Sequence, residues 1–180
     1  VIAQFFKPGA KCFGYVMAGE VASIDKVING AEKPFTAIVG GAKVSDKILI
    51  IEQLMNKANN ILIGGGMAFT FVKAMGGSIG KSLCEDDKLE LAKELLNKAK
   101  AKGVNLYIPT DAVIADNFAN DANKQESAIN IIPDGWMGLD ISHETIKTYS
   151  DVIKNSKTIL WNGPMGVFEM SSFENGTKQV

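Results

Sequence analysis

Short apolar runs alternate with stretches of helical periodicity along most of this 180-residue chain, and that alternation limits the folds it can adopt. Each apolar run is nearly continuous, which is typical of strands that are buried on both faces. Strands of that kind occur in parallel sheets, because the helices that connect them cover the sheet. The sequence therefore predicts an α/β fold, a three-layer sandwich with a mostly parallel, Rossmann-like sheet and helices on both faces.

The predicted elements follow one another in a simple order. Strands are predicted at 35–39, 61–63, 104–108, 112–115 and 158–161, with a further extended piece around 128–131. Helices are predicted at 12–30, 45–56, 67–75, 87–102 and 144–155, and a last helix begins near Ser172. The segment 116–133 is polar and has weak periodicity, so we expect a surface excursion there.

The composition limits the class of partner. A formal net charge of −1 gives no long-range attraction for nucleic acid or an anionic membrane, so we expect neither as a partner. No apolar stretch approaches the roughly 20 residues of a membrane span, and no signal segment opens the chain, which favours a cytoplasmic protein. Cys12 and Cys84 fit no metal-ligand spacing and no disulfide framework, so we expect two reduced core thiols.

The ends of the chain and its basic residues indicate that the sequence is part of a longer protein. The chain begins at Val1 without an initiator methionine and ends at Val180 inside a predicted helix, so we expect it to be part of a longer protein. It contains no arginine, and therefore lacks the planar fork that best holds carboxylates and phosphates at two points. We expect the carboxylate of an anionic metabolite to be held elsewhere.

Three glycine-rich segments, 40–43, 64–68 and 162–166, follow predicted strands directly. In open parallel sheets, ligands bind outside the carboxyl ends of the strands. Glycine has no Cβ, so backbone N–H groups can approach a flat ring or a phosphate oxygen, and a following helix start favours an anion. One such segment is more often a packing device, but three together predict a common ligand site.

Lys43 and Lys47 sharpen this prediction. They lie four residues apart near the first turn of the helix predicted at 45–56, and so share one face. Cations are disfavoured at a helix start, which indicates a negatively charged ligand nearby. The alternative is that Asp46 and solvent satisfy both lysines.

Other candidate motifs are weaker. The segment 76–82 imitates a P-loop, but the required glycine is replaced by Met75 and no apolar strand leads directly into it. The segment 64–69 has Phe69 where a dinucleotide-binding fingerprint needs a small residue. His143 follows Ser142 at a predicted helix start, where a capping-region or solvated histidine is the better interpretation than a catalytic one. The acidic segment 84–90 is interpreted as the first turn of a helix.

Six segments have long and unusual sequences: GGAKVSDKI (40–48), ILIGGGMAFTF (61–71), IGKSL (79–83), PTDAVIADNF (109–118), GWMGLDI (135–141) and WNGPMGVFE (161–169). In this order, and across essentially the whole chain, they resemble the carboxyl-terminal, nucleotide-binding domain of the phosphoglycerate kinase family. The resemblance implies reversible phosphoryl transfer between 1,3-bisphosphoglycerate and ADP, a step of glycolysis that gives 3-phosphoglycerate and ATP. It also implies Mg²⁺ as the counter-ion of the nucleotide.

The resemblance further implies residue roles. Lys43 corresponds to a lysine that contacts nucleotide phosphates, and Lys47 to one that steadies the phosphoryl group during transfer. Glu169 corresponds to a carboxylate that binds the ribose hydroxyls, Pro164 packs against the sugar, and Asn162 lies near the phosphates. The adenine slot is similar to one lined by Gly41, Gly65, Gly66, Leu83, Phe118, Gly138, Leu139 and Val167, and the predicted nucleotide-binding set also includes Gly40 and Gly163.

The same resemblance implies that residues 1–30 form an interdomain helix region and residues 31–180 a nucleotide-binding domain that is incomplete at its C-terminus. In the family, an amino-terminal domain holds 3-phosphoglycerate or 1,3-bisphosphoglycerate, and the aspartate that meets the metal lies beyond Val180, so no metal ligand is predicted here. We expect the intact enzyme to be a monomer, and this chain alone to bind ADP or ATP weakly and to be inactive. The alternatives are a nucleotide-binding module without transfer activity and, less favoured, a nicotinamide-dependent oxidoreductase domain.

Overall fold

The computed structural model of the chain describes residues 5–7, 12 and 14–180. The chain divides into two compact units, Val1–Glu32 and Lys33–Val180. The first unit contains helix α1, Tyr15–Gly30, which coincides with most of the helix predicted at 12–30. Phe13, an apolar residue of that predicted helix, lies outside the described residues. Among the described residues, no helix combines the length and apolar character needed to cross a membrane.

Helices and strands alternate through the second unit. Their order is β1 (Phe35–Val39), α2 (Ile48–Leu54), β2 (Asn60–Ile63), α3 (Met67–Ala74), β3 (Ser78–Ile79), α4 (Leu89–Ala101), β4 (Asn105–Tyr107), β5 (Asp111–Ala115), β6 (Lys124–Ala128), β7 (Ile131–Ile132), β8 (Met137–Ile141), α5 (His143–Lys154), β9 (Thr158–Asn162) and α6 (Asn175–Gln179). A short 3₁₀ turn, Asp86–Lys88, precedes α4.

Four of these strands form one parallel sheet in the order β4-β2-β1-β9. Strand β1 pairs with β2 up to Val39 opposite Ile63, and with β9 up to Val39 opposite Asn162. Because the three strands end in register, the segments that follow them begin side by side at one rim. The prediction of an α/β fold with a parallel central sheet is confirmed.

Helices cover both faces of this sheet. On one face, Ile38 and Leu62 pack with Tyr149 of α5 in a buried cluster. The hydroxyl of Tyr149 lies 2.6 Å from the carbonyl oxygen of Ile63, which fixes α5 at the carboxyl end of β2. Side chains alternate along a strand, so the neighbouring residues of β1 and β2 face the opposite side of the sheet. These residues, Ala37, Val39, Ile61 and Ile63, are fully buried.

The amino ends of the same strands are joined by polar side chains instead. The hydroxyl groups of Thr36 and Ser156 lie 2.6 Å apart. The side-chain amide of Asn60 donates to Thr36 Oγ1 at 3.0 Å, and that of Asn105 donates to Asn60 Oδ1 at 2.9 Å. The two rims of the sheet therefore differ in chemistry, since hydrogen-bonded side chains close one rim and glycine-rich segments lie at the other.

A second sheet is formed by strands that lie between β4 and β9 in the sequence. It is antiparallel, with the order β6-β5-β8, and a separate short parallel pair joins β3 to β7. Strand β8 is not among the predicted elements. The segment 116–133, predicted as a surface excursion with an extended piece around 128–131, contains β6, which is mostly exposed, and β7. The prediction of two core thiols is also wrong, because Cys12 is exposed and Cys84 is only partly buried.

Helix α5 is capped from a distant strand. Ser142 occupies the N-cap position but makes no side-chain capping bond. Instead the carboxylate of Asp111, on β5, accepts hydrogen bonds from the backbone N–H groups of Glu144 at 2.9 Å and Thr145 at 3.0 Å. His143 lies at the surface with its Nε2 2.9 Å from Glu126 Oε1. The cap thus ties the antiparallel sheet to a helix that covers the parallel one.

We expect Asp111→Asn to lower the free energy of unfolding by about 1–2 kcal/mol, because an amide can replace only one of the two acceptor oxygens that cap α5. Urea titration followed by circular dichroism measures the change. Asp121→Asn is the matched control, since Asp121 is exposed in a loop and its replacement should alter stability by less than about 0.5 kcal/mol. Equal effects of the two replacements would contradict the capping role.

Candidate functional site

A cleft of about 750 Å³ opens where β1, β2 and β9 end. Three segments form its floor and one side: the β1 loop (40–43), the β2 loop (64–66) and the β9 loop (163–169). Strand β8 forms the opposite side. The lining residues are Gly41, Ala42, Gly65, Gly66, Ala68, Phe69, Lys81, Leu83, Pro109, Phe118, Ile129, Met137, Gly138, Leu139, Asp140, Ile141, Pro164, Met165, Gly166, Val167, Phe168 and Glu169.

The three loops are joined directly by backbone hydrogen bonds. The N–H of Gly40 donates to the carbonyl oxygen of Asn162 at 2.9 Å, and the N–H of Gly65 donates to that of Met165 at 2.8 Å. The N–H of Met67 donates to the carbonyl oxygen of Gly41 at 3.0 Å. Each loop therefore contacts another through its main chain, so the rim of the sheet is one connected structure.

Glycine is required at these contacts. A Cβ at Gly40 would overlap the backbone carbonyl of Pro164, and one at Gly163 would overlap that of Gly40. Gly163 also has φ +92° and Gly65 has φ +71°, a backbone region that residues with a side chain rarely adopt. At Gly65 a Cβ would overlap the backbone of Gly41. Larger residues would force the loops apart.

Most N–H groups of the glycine-rich β2 loop and of the start of α3 are bonded within the protein. Those of Gly64 and Gly65 donate to Val39 and Met165, and the first N–H of α3, on Met67, donates to Gly41. The next two N–H groups of α3 donate to carbonyl oxygens of the same loop. The N–H of Gly66 makes no such bond, so the prediction that backbone N–H groups at this rim approach a ligand stays a prediction.

Lys43 and Lys47 do not lie in a helix. Helix α2 begins at Ile48, so both lysines precede it, and the prediction of a shared helical face is wrong. Lys47 Nζ donates to Asn162 Oδ1 at 2.6 Å, and its Cε lies over Gly41. Lys43 is exposed beside the cleft and does not line it. In the alternative interpretation the ammonium group of Lys47 is paired with Asp46. In the structure it is bonded to the side chain of Asn162 instead.

The turn that carries the two lysines is held by Glu85. Its carboxylate accepts hydrogen bonds from the backbone N–H of Ser45 at 3.0 Å and from Ser45 Oγ at 2.6 Å. Burial alone would raise the pKa of Glu85, but the hydrogen bonds from Ser45 and from the Val44 N–H outweigh it, so that pKa is lowered. Glu85 therefore acts as an ionised anchor, a role that its position in an acidic helix start did not predict.

Most of the predicted nucleotide-binding residues line the cleft. They are Gly41, Gly65, Gly66, Leu83, Phe118, Gly138, Leu139, Pro164, Val167 and Glu169. The others, Gly40, Lys43, Lys47, Asn162 and Gly163, lie outside the lining in the β1 and β9 segments that adjoin it. Leu83 and Phe118 are 49% and 58% exposed, so apolar area is available for a flat ring. At Gly138 a Cβ would overlap the ring of Phe69, which keeps this wall smooth.

Two charged residues of the cleft were missed by the sequence analysis. Lys81 lines the cleft, although its segment was set aside as a near match to a P-loop. Asp140 lies on β8, which was not predicted, and is only 4% exposed. Burial raises the pKa of Asp140 to about 6, against the opposing effect of hydrogen bonds from the N–H groups of Gly176 and Ile141. The segment GWMGLDI contained Asp140, but only knowledge of the strand would have placed it in the cleft.

Within residues 5–7, 12 and 14–180, no group of three or more His, Cys, Asp or Glu side chains is arranged to hold a metal ion. We assign no metal ligand among these residues.

Comparison with known proteins gives a consistent result. The family model for phosphoglycerate kinase matches residues 1–180. The phosphoglycerate kinase of Synechococcus sp. (strain RCC307) is 56% identical over 179 residues, and phosphoglycerate kinase 3, cytosolic, of Arabidopsis thaliana is 54% identical over 179 residues. Each alignment covers 99% of this chain. The chain spans 44% of the length of these relatives.

Solved structures agree with the relatives. The structure of phosphoglycerate kinase from Coxiella burnetii superposes with a TM-score of 0.88 at 39% identity, over 92% of this chain and 43% of that one. The phosphoglycerate kinase from Pyrococcus horikoshii OT3 superposes with a TM-score of 0.78 at 24% identity, over 93% of this chain and 43% of that one. The second comparison shows the fold alone.

The buried carboxyl group of Asp140 should make stability depend on pH. Its pKa is raised from 3.8 to about 6, so the folded state binds more protons than the unfolded state between these values. The contribution of this group is therefore most favourable below pH 4 and is lost as pH rises through 6, by about 3 kcal/mol in total. Other carboxyl groups also change the unfolding free energy with pH. The effect of Asp140 is therefore measured as the difference in unfolding free energy between two proteins.

We expect the unfolding free energy of the unmodified chain, minus that of Asp140→Asn, to fall by about 2.4 kcal/mol between pH 4 and pH 7, because asparagine does not titrate. Urea titrations at closely spaced pH values measure this difference. A difference that stays constant with pH would show that Asp140 titrates as an ordinary exposed carboxyl group.

Proposed function

The chain belongs to the phosphoglycerate kinase family, and on that premise we propose that it is the carboxyl-terminal, nucleotide-binding part of an enzyme that transfers a phosphoryl group between 1,3-bisphosphoglycerate and ADP. The observation that carries the proposal is the cleft itself. Its walls are apolar and rich in glycine, and Lys47 lies next to it, held by Asn162. An apolar slot beside a cation is what an adenosine polyphosphate requires.

In this proposal the adenosine part of ADP or ATP occupies the cleft. The adenine ring lies against Leu83, Phe118 and Val167, whose apolar surface suits a flat ring. Glycine at 41, 65 and 138 leaves room for that ring, since a side chain at any of these positions would enter the cleft or displace its wall. Pro164 packs against the ribose, and the Glu169 carboxylate accepts hydrogen bonds from the ribose hydroxyls.

The phosphate chain extends from the cleft towards Lys47 and Lys43. Lys47 donates to the neutral amide oxygen of Asn162, so its partner brings no negative charge. This differs from Lys73 and Lys98, each of which pairs with a carboxylate, Asp86 and Glu52 respectively. Among the described residues, neither Lys43 nor Lys47 forms such an ion pair. An ammonium group that is held in place but not neutralised is suited to phosphoryl oxygens.

Phosphoryl transfer depends on position, charge neutralisation and exclusion of water more than on covalent chemistry by the protein. Lys43 contacts the nucleotide phosphates, while Lys47 stabilises the negative charge of the group in transfer. Mg²⁺ that arrives with the nucleotide neutralises phosphate charge when bound, and no residue of this chain is assigned to it.

The acid substrate is held by a part of the protein other than this chain. The chain has no arginine and spans 44% of the length of its relatives. We therefore assign 3-phosphoglycerate and 1,3-bisphosphoglycerate to an amino-terminal domain that precedes these residues. The complete protein is proposed to be a cytoplasmic, monomeric enzyme of glycolysis, with no nucleic acid or membrane as partner.

The ligand class is tested by calorimetry on the 180-residue chain. We expect ADP to bind weakly and NADH not to bind, because the cleft ends at cations suited to a terminal phosphate. Binding of NADH without binding of ADP would overturn the proposal in favour of a nicotinamide-dependent protein.

Catalysis is tested separately. The chain alone should form no ATP from 1,3-bisphosphoglycerate and ADP, and turnover of roughly 1 to 10³ per second would refute that. A full-length protein carrying these residues should show such turnover. If it bound ADP but transferred nothing, the alternative of a nucleotide-binding module without transfer activity would be favoured.

In that full-length protein, we expect Lys47→Met to lower turnover by about a hundredfold or more, because charge stabilisation in the transition state is lost. The KM for ATP should change much less, since the apolar cleft is intact. Steady-state kinetics separate the two quantities. Lys57→Met, at an exposed lysine near the opposite rim of the sheet, is the matched control and should leave both unchanged. Unaltered turnover in Lys47→Met would remove its proposed role.

A further inference from the structure

Asp140 connects three elements around the cleft. It lies on β8, and its carboxylate accepts a hydrogen bond from the N–H of the next residue, Ile141, at 2.9 Å. The other carboxylate oxygen accepts a hydrogen bond from the N–H of Gly176, in the first turn of α6, at 2.7 Å. The strand and the helix are therefore held together by one buried side chain.

The β9 loop rests on the same side chain. A Cβ at Gly166 would overlap the carboxylate of Asp140, and so would one at Gly176. The loop is also attached on both sides of Gly166. The Met165 N–H donates to Thr177 Oγ1 of α6 at 3.0 Å, and the Val167 N–H donates to the carbonyl oxygen of Leu139 at 2.9 Å.

We propose that Asp140 is a positioning residue of the nucleotide site, which holds α6 against β8 so that the β9 loop presents Pro164, Val167 and Glu169 in the geometry that ADP requires. This inference rests on the proposed function. Asp140 acts through the loop and need not touch the nucleotide. Burial of this carboxyl group disfavours its charged form and raises its pKa to about 6. A neutral side chain would be less costly to bury, so packing alone does not explain an aspartate here.

The chain contains a matched comparison. Asp111 also lies on a strand and also accepts hydrogen bonds from the N–H groups at the start of a helix, α5. Asp111 is not among the residues that line the cleft. The two aspartates therefore perform the same kind of capping, but only Asp140 is in contact with the β9 loop.

The experiment compares Asp140→Asn with Asp111→Asn in the 180-residue chain. Calorimetry measures ADP affinity, and amide hydrogen exchange by NMR measures the opening of the Met165 and Val167 N–H groups without any ligand. We expect Asp140→Asn to weaken ADP binding by about tenfold or more and to speed exchange at both amides by a similar factor. Asp111→Asn should change either quantity by less than about twofold, although it lowers global stability.

The outcomes separate this inference from the proposed function. If the unmodified chain does not bind ADP while Asp140→Asn still speeds exchange at both amides, the proposed ligand is wrong and the loop-holding role stands. If exchange at Met165 and Val167 is unchanged in Asp140→Asn, or if Asp111→Asn weakens ADP equally, the positioning role is overturned.

A second variant applies if Asp140→Asn does not fold. Thr177→Val removes only the acceptor of the Met165 N–H and keeps the size of the side chain. It should speed exchange at Met165 and weaken ADP binding while far-ultraviolet circular dichroism stays unchanged. Unchanged exchange and affinity in this variant would overturn the link between α6 and the cleft.

Discussion

The close contact of main chain with main chain at the carboxyl rim of the parallel sheet is the constraint on which the site depends. Gly40 lies against Gly163 and Pro164, and Gly41 lies against Gly65, at separations that leave no room for a Cβ. The contact is possible because β1, β2 and β9 are neighbours in register and end together. It turns three separate loops into one wall. Without it each loop would be a separate surface segment, and such segments are more mobile than the elements they connect.

Because of the same contact, the apolar surface and the positive charge of the site come from different residues. The N–H groups of Gly64, Gly65 and Met67 are already bonded within the protein, and glycine has no charged side chain, so this wall is smooth and uncharged. Positive charge comes instead from lysines at its margin, and Lys47 is fixed there by Asn162. Recognition of a ring by shape and of phosphates by charge therefore takes place in adjoining regions built from different residues. A neutral amide as the partner of Lys47 matters here, because a carboxylate would have cancelled the charge.

The sequence predicted the parts of the fold that local patterns determine. The continuous apolar run at 35–39 coincides with β1, and the order of parallel strands and helices followed from alternation alone. Strand β8 was missed because Gly138 and Asp140 interrupt its apolar character, and Asp140 was missed with it. The start of α2 was misplaced at Ser45, whose backbone N–H is bonded in the structure to Glu85, 40 residues away. Contacts of that range leave no periodic signal. Most of the nucleotide-binding residues that the resemblance implied line the cleft, but Lys81 and Asp140, which also line it, were not among them.

The glycine-rich wall and the lysines beside it differ in what they can do when this chain is separated from the rest of the protein. The wall lies within residues 40–169 and is held by α6, and its loops are bonded to one another without a ligand, so little ordering cost remains when a nucleotide enters. Charge stabilisation of a transferring phosphoryl group is another matter, because it needs cations on several sides and exclusion of water. This chain contributes lysines on one side and no arginine at all. Under the proposed function, nucleotide recognition is therefore a property of this part of the protein, whereas transfer requires a second part to close over the phosphates.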